Sequence, residues 1–213
     1  MNNPFYCELL CSNIENLTLI NDFTIYREAG YSQLPDKVIG LEAYLKVCAW
    51  SDDRNDLVKI YLIKDSNTHE IVAYFGLKAG MLAANMNESL SLDEQQTIFK
   101  TEGVKVFPEI LPGIEISHFA VNDKYRNSLT NGEKPIKYLG KYLYPMYIYP
   151  VIKDVGTKIG VHMVYLYAAG DETLVSYYRN TFDFQEFSEN DIYTPLEPEY
   201  DNGCKFMYRR FYS

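Results

Sequence analysis

The sequence is short of positive charge. Lys and Arg number 20 against 29 Asp and Glu, which leaves a formal net charge of −9 at pH 7. A surface with that balance repels phosphate, and this argues against a general nucleic-acid coat and against docking on an anionic membrane. A long apolar run is also missing. Crossing a bilayer as a helix takes about 20 consecutive apolar residues, and no stretch of the chain is both long and apolar enough. The opening Met1-Asn2-Asn3-Pro4-Phe5-Tyr6 lacks the basic start and clean apolar stretch of a secretion signal, and Glu8 and Glu15 place charge in the next ten residues.

Cysteine and histidine are scarce, at 4 and 3 residues. Cys7, Cys11, Cys48 and Cys204 are scattered in a chain large enough to be stable without staples, so they read as free thiols in a reducing, cytoplasmic compartment. Cys7 and Cys11 stand at helix-like spacing, but no histidine pair accompanies them, so no metal is expected. His69 and His162 read as structural or exposed. No P-loop and no supported Ser/His/Asp or Cys/His arrangement occurs.

What is present is core-forming material, with 47% hydrophobic residues in 213. No repeat and no Gly/Pro/Ser-rich linker divides the chain, so a single domain over 1–213 is expected, with an insertion at about 80–110. The first stretch, to about Asn21, has no clear period. Leu41, Tyr44, Leu45 and Cys48 fall on one face of a helix over Leu34–Ala49, which the polar run Ser51–Asn55 ends as a loop. Leu57–Lys64 and Ile71–Leu77 read as a hairpin around Asp65–Glu70. Ile114–Val121 is a strand and 122–136 a loop. Lys137–Val155 has helical spacing despite Pro145 and Pro150, which should kink it, and Gly156 and Gly160 mark its end. Val161–Ala168 is an apolar strand. A helix over Asp171–Thr181 comes next, with Asp171 as N-cap. Phe184–Phe187 and Lys205–Phe211 are the last strands. A strand–helix–strand crossover among hairpin-connected strands gives a mixed α/β fold: a mostly antiparallel sheet with one central parallel pair and flanking helices.

Ligands gather at the carboxyl end of a parallel pair, where the crossover helix begins. The loop before that helix carries Lys124, Arg126, Lys134, Lys137 and Lys141, opposed by Asp123 and Glu133. Leu139-Gly140 opens the helix, where free N–H groups favour an anion. A phosphate or pyrophosphate site is expected there.

The run Ile114-Glu115-Ile116-Ser117-His118-Phe119-Ala120-Val121-Asn122-Asp123-Lys124-Tyr125-Arg126, continued by Tyr138-Leu139-Gly140-Lys141-Tyr142-Leu143, resembles the acetyl-CoA motif of the GCN5-related N-acetyltransferase (GNAT) superfamily. Val161–Ala169 is similar to that family's next strand. Asp171–Phe184, with Tyr177-Tyr178 and Phe182-Asp183-Phe184, is similar to its closing helix. Leu41–Leu45 and Glu70–Gly76 resemble the first helix and third strand of a subgroup that includes tRNA-acetylating toxins. The resemblance spans about 35–187.

It implies that the parallel strands splay and that the pantetheine arm of acetyl-CoA bonds the backbone of Phe119, Ala120 and Val121. It also implies a pyrophosphate on the turn at Tyr138, Leu139, Gly140 and Lys141, with Arg126 beside it. Gly140 matches the motif's last glycine, Tyr138 stands at its middle glycine, and Arg126 matches if 127–135 is an inserted loop. By the same likeness Tyr178 is the general acid toward the leaving thiolate, with Tyr177 as its competitor, and Glu115 is the base; His118 is the alternative base and otherwise a core histidine. The backbone N–H of Phe119 or Ala120 would serve the oxyanion.

The implied function is transfer of an acetyl group from acetyl-CoA to a primary amine by direct attack. The acidic surface favours a small or cationic acceptor. Two alternatives stay open: a tRNA-acetylating, toxin-like enzyme, and a catalytically weak acyl-CoA-binding or regulatory module. Tyr142, Tyr144, Tyr147 and Tyr149 are more rings than one sheet face should bury, and this gives a homodimer as an expectation.

Overall fold

The computed structural model describes residues 3–25, 36–84, 110–126, 130–131, 134–135, 139–169, 172–188, 193–195 and 203–211. The strands are β1 (Phe5–Leu9), β2 (Lys59–Asp65), β3 (Ile71–Ala84), β4 (Ile110–Val121), β5 (Thr130–Asn131), β6 (Lys134–Pro135), β7 (Met163–Ala169), β8 (Gln185–Glu186), β9 (Tyr193–Pro195) and β10 (Cys204–Arg210). The main sheet has the order β1-β2-β3-β4-β7-β10-β8, with β9 on β3. β4 and β7 are parallel. The ladders β1/β2, β2/β3, β3/β9, β7/β10 and β10/β8 are antiparallel. This is the expected mixed sheet.

The β2–β3 hairpin forms where polar turn residues interrupt two β-branched runs. The Asp65 carboxylate accepts the N–H groups of Asn67 and Thr68 at 2.8 and 3.0 Å, and His69 closes the turn at φ 60°.

The chain groups into two compact units, Met1–Lys78 with Ile116–Lys158, and Ala79–Glu115 with Ile159–Ser213. In the first, the helix Asp36–Val47 contributes Leu45, with Leu41 and Tyr44 packed alongside, to a core containing Phe23, Ile60, Leu62 and Tyr74. In the second, β3, β4, β7 and β10 contribute Leu82, Leu111, Met163, Tyr165, Phe206 and Tyr208.

Several expectations are corrected. The N-terminal stretch contains β1. Ser51–Arg54 is helical, within Ala49–Arg54, because buried Asp53 accepts the Cys11 N–H at 3.1 Å and pairs with Lys59 at 3.4 Å. Cys48, placed on the buried helix face by its spacing, is exposed. Cys7 lies on a strand and Cys11 in the 3₁₀ turn after it, so their spacing is not helical. Asp123–Arg126 forms a short helix, and β5 pairs with β6 inside the expected loop.

The long helix runs through Leu139–Leu143, a π turn at Tyr144–Ile148, and Tyr149–Ile159. Pro145 sits at the start of the π turn, where its missing N–H and bulky ring disturb the α ladder. Gly156 is buried inside the helix, and Gly160 at φ 64° comes just after its end. Asp171 and residues 85–109, which hold most of the expected insertion, lie outside the described residues.

Candidate functional site

β4 carries four of the expected site residues, Glu115, Phe119, Ala120 and Val121. Its ladder with β7 joins Gly113 to Met163, Ile114 to Val164 and Glu115 to Tyr165. Beyond these pairs β4 continues to Val121 and β7 to Ala169. Phe119 and Val121 are half-buried and Ala120 is buried. The end of β4 is pinned by Asn122, whose backbone N–H donates to the Val72 carbonyl and whose side-chain amide donates to the Ile71 carbonyl, both at 2.8 Å.

Glu115 is 4% exposed. The hydroxyl of Tyr165, its register partner, donates to its carboxylate and accepts the Met81 N–H. Burial, and then the Glu115 charge, hold the Tyr165 phenol well above its usual range, so it keeps its proton. Gly80 makes room for this hydroxyl: a Cβ built there would stand 1.9 Å from the Tyr165 oxygen. The sequence pattern did not single out Tyr165 or Gly80. The available signal was a glycine inside a strand, which marks a close approach.

His118 is the alternative base. Its ring stacks on Tyr44, and its Nδ1 bonds the Ser117 hydroxyl at 2.9 Å. Burial, and then the charge of Lys78, push it down to about 4. A neutral imidazole of such low basicity is a poor acceptor of an ammonium proton, and its contacts are those of a packed ring.

Tyr178 lies in the helix Glu172–Phe182. Lys205 braces that region through Glu172 at 2.7 Å and Glu186 at 2.8 Å, and Arg179 pairs with Glu186 at 2.6 Å. The Tyr178 ring is half-buried and makes edge or tilted contacts with Tyr177, Phe182 and Phe184. Asp183, at φ 58°, turns the chain so that the Phe184 N–H reaches the Tyr178 carbonyl at 3.4 Å. Tyr177 stands edge-on to Phe182, and burial pushes its phenol up to about 12.

At the expected phosphate turn, Leu139 is buried at the helix start, Gly140 is half-buried and Lys141 is exposed. Tyr138 lies outside the described residues, as does the Arg126 side chain. Lys124 is corrected. Its ammonium meets Glu70, which also accepts the Tyr125 hydroxyl at 2.5 Å. Those two partners hold the Glu70 carboxyl below its usual range.

The tyrosine surplus has an internal outlet. Tyr144 and Tyr147 are buried. Tyr147 donates to the Phe5 carbonyl at 3.0 Å, Tyr142 meets the Phe5 ring edge-on, and Tyr144 stacks on Tyr149. Tyr142 and Tyr149 stay half-buried.

Glu115 and Tyr178 thus belong to the second unit. Phe119, Ala120, Val121, Arg126, Leu139, Gly140 and Lys141 belong to the first.

No protein-family model and no curated protein matches this chain. Solved structures do. A Tyr-to-Phe variant of KacT is 14% identical, covers 98% of this chain and 95% of its own, and gives a TM-score of 0.62. AtaT complexed with acetyl-methionyl-tRNAfMet is 12% identical over 95% and 93%, with a TM-score of 0.59. AtaTR bound with acetyl-CoA is 14% identical over 97% and 94%, with a TM-score of 0.57. The chain has the GNAT fold.

Proposed function

We propose that residues 1–213 form one acetyl-CoA-dependent N-acetyltransferase domain that acts on a primary amine. The observation that carries this reading is the GNAT fold together with β4, which runs on through Phe119, Ala120 and Val121 after its parallel ladder ends at Glu115. Extended backbone of that kind can receive a pantetheine amide as an added strand. The start of the 139–159 helix, with Gly140 and Lys141, suits the pyrophosphate.

In this reading the amine nitrogen attacks the thioester carbonyl. Its proton passes to Glu115, directly or through water. The N–C bond forms, the oxyanion is held by the Phe119 or Ala120 N–H, and the C–S bond breaks. The CoA thiolate takes the Tyr178 hydroxyl proton. Tyr178 is the acid in preference to Tyr177 because it stands at the position that the likeness assigns to the acid; burial pushes the Tyr177 phenol up to about 12.

A second reading names the acceptor as the α-amino group of an aminoacyl-tRNA. It is favoured by the similarity to AtaT, whose structure holds acetyl-methionyl-tRNAfMet. The net charge of −9 weighs toward a small cationic amine instead.

The test is calorimetric binding of acetyl-CoA, then transfer of labelled acetyl to small amines, polyamines and charged tRNA. Binding with transfer supports the enzyme, and the acceptor that takes label decides between the two readings. Absence of binding at near-millimolar acetyl-CoA overturns it. Binding without transfer leaves an acyl-CoA-binding module.

A further inference from the structure

We propose that Tyr165 is a positioning residue for Glu115. Its hydroxyl is seated over Gly80 with its one proton directed at the carboxylate, which fixes the base for the reaction. The inference rests on the transferase reading and adds to it a residue that does not touch the substrate.

A phenol hydroxyl has one proton and can also accept a hydrogen bond. Here the acceptor side is used by the Met81 N–H, so the proton is directed to Glu115. Side-chain register supplies the rest. Glu115 and Tyr165 are partners in the parallel ladder, so both side chains leave the same face of the sheet. Two glycines shape the seat. A Cβ at Gly80 would stand 1.9 Å from the hydroxyl oxygen, and one at Gly113 would stand 3.1 Å from the ring edge. The ring is fixed from the side by Tyr167 at 6.2 Å and Phe206 at 5.5 Å between centroids. A side chain so enclosed has little rotational freedom, and the carboxylate it holds inherits that order. Such fixed orientation is what a general base needs, because misplacement by a fraction of a bond length slows proton transfer.

The test uses Tyr165→Phe, Glu115→Gln, the double variant and Gly80→Ala, with melting temperature, kcat and KM for acetyl-CoA measured on each. Tyr165→Phe keeps the ring and removes the proton, so it should fold. Gly80→Ala keeps both partners and expels the hydroxyl from its seat.

If the inference holds, the melting-temperature losses of the two single variants are not additive in the double variant. Tyr165→Phe then lowers kcat by about 10-fold or more, with KM for acetyl-CoA within about 2-fold. The double variant is no slower than Glu115→Gln, and Gly80→Ala matches Tyr165→Phe in kcat. Additive melting losses overturn the contact itself. Coupled melting losses, with kcat lowered by Glu115→Gln and unchanged by Tyr165→Phe, overturn the positioning role while the transferase reading stands. Coupled melting losses in a protein that transfers no acetyl group overturn both, and show the pair to be structural.

Discussion

The imidazole of His118 lies flat on the ring of Tyr44, with centroids 3.7 Å apart and planes 9° from parallel. The Tyr44 hydroxyl in turn donates to Asp52 at 3.0 Å. This joins the end of β4 to the 36–47 helix and the helix after it. The ring that makes the join is titratable. Folding lowers its pKa to about 4, from about 6.5 in the unfolded chain. As pH falls, the unfolded chain binds the proton first, so stability is complete above about pH 6.5 and is lost progressively toward pH 4. The full effect is about 3 kcal/mol. His118→Phe preserves a flat ring without a proton site. Its urea midpoint should vary less than wild type between pH 6.5 and 4, and equal slopes would reject this account.

Tyr178 and Tyr177 are neighbours on one helix and both rings meet Phe182; the position in the motif separates their expected roles. Tyr178→Phe should lower kcat by about 10²- to 10⁴-fold, the usual worth of a positioned proton donor. Acetyl-CoA affinity should be unchanged, because the ring remains. Tyr177→Phe removes a hydroxyl whose ring packs on Phe182, and should change kcat by less than about 3-fold. Paired calorimetry and initial rates check both. A large loss in Tyr177→Phe with Tyr178→Phe active would exchange the assignments.

Among the described residues, Lys64 is the most enclosed cation of the first unit. Its ammonium bonds Glu8 at 2.8 Å and the Asn16 side-chain carbonyl at 2.9 Å, and it lies 5.8 Å from the Tyr6 ring centre. The pair is asymmetric: the Lys64 side chain is 4% exposed and that of Glu8 is 26%. Glu8→Ala leaves a buried ammonium short of its counter-ion and should cost about 3–5 kcal/mol. Lys64→Met leaves a carboxylate that water can reach, and should cost about 1–3 kcal/mol. Urea unfolding of both variants measures the order, and a larger loss in Lys64→Met would contradict it.

The sheet was legible because its strands carry β-branched and apolar runs bounded by turn residues, as in Ile71–Leu77 after Asp65–Glu70. What escaped depends on partners distant in sequence. β1 carries Glu8 among apolar residues and reads as aperiodic until Lys64 is seen beside it. Ser51–Arg54 reads as a polar loop until Asp53 is found buried against Cys11 and Lys59. Glu115 was legible as a carboxylate in an apolar strand that needed a reason. Tyr165 was one of 20 tyrosines, and its role depends on Gly80, within a stretch read as inserted. Lys124 counted as part of a basic loop only while its pairing with Glu70 was unseen.

That pairing leads to a last prediction, on charge near the expected pyrophosphate. Lys141 is exposed in the first turn of the 139–159 helix, whereas Lys124 is already engaged by Glu70. Reversing an exposed charge near a pyrophosphate acts through solvent and should be screened by salt. Lys141→Glu should therefore weaken acetyl-CoA binding by about 5- to 10-fold at low ionic strength, and by less than about 3-fold at about 0.5 M salt, where the screening length falls to a few ångströms. Lys124→Glu places two carboxylates together at Glu70, and its main effect should be on stability, with acetyl-CoA affinity changed by less than Lys141→Glu changes it. Calorimetric titrations at two salt concentrations distinguish these outcomes. A salt-independent loss in Lys141→Glu would mean that the side chain acts by a direct contact or by its packing. No loss at all would move the pyrophosphate away from the start of this helix.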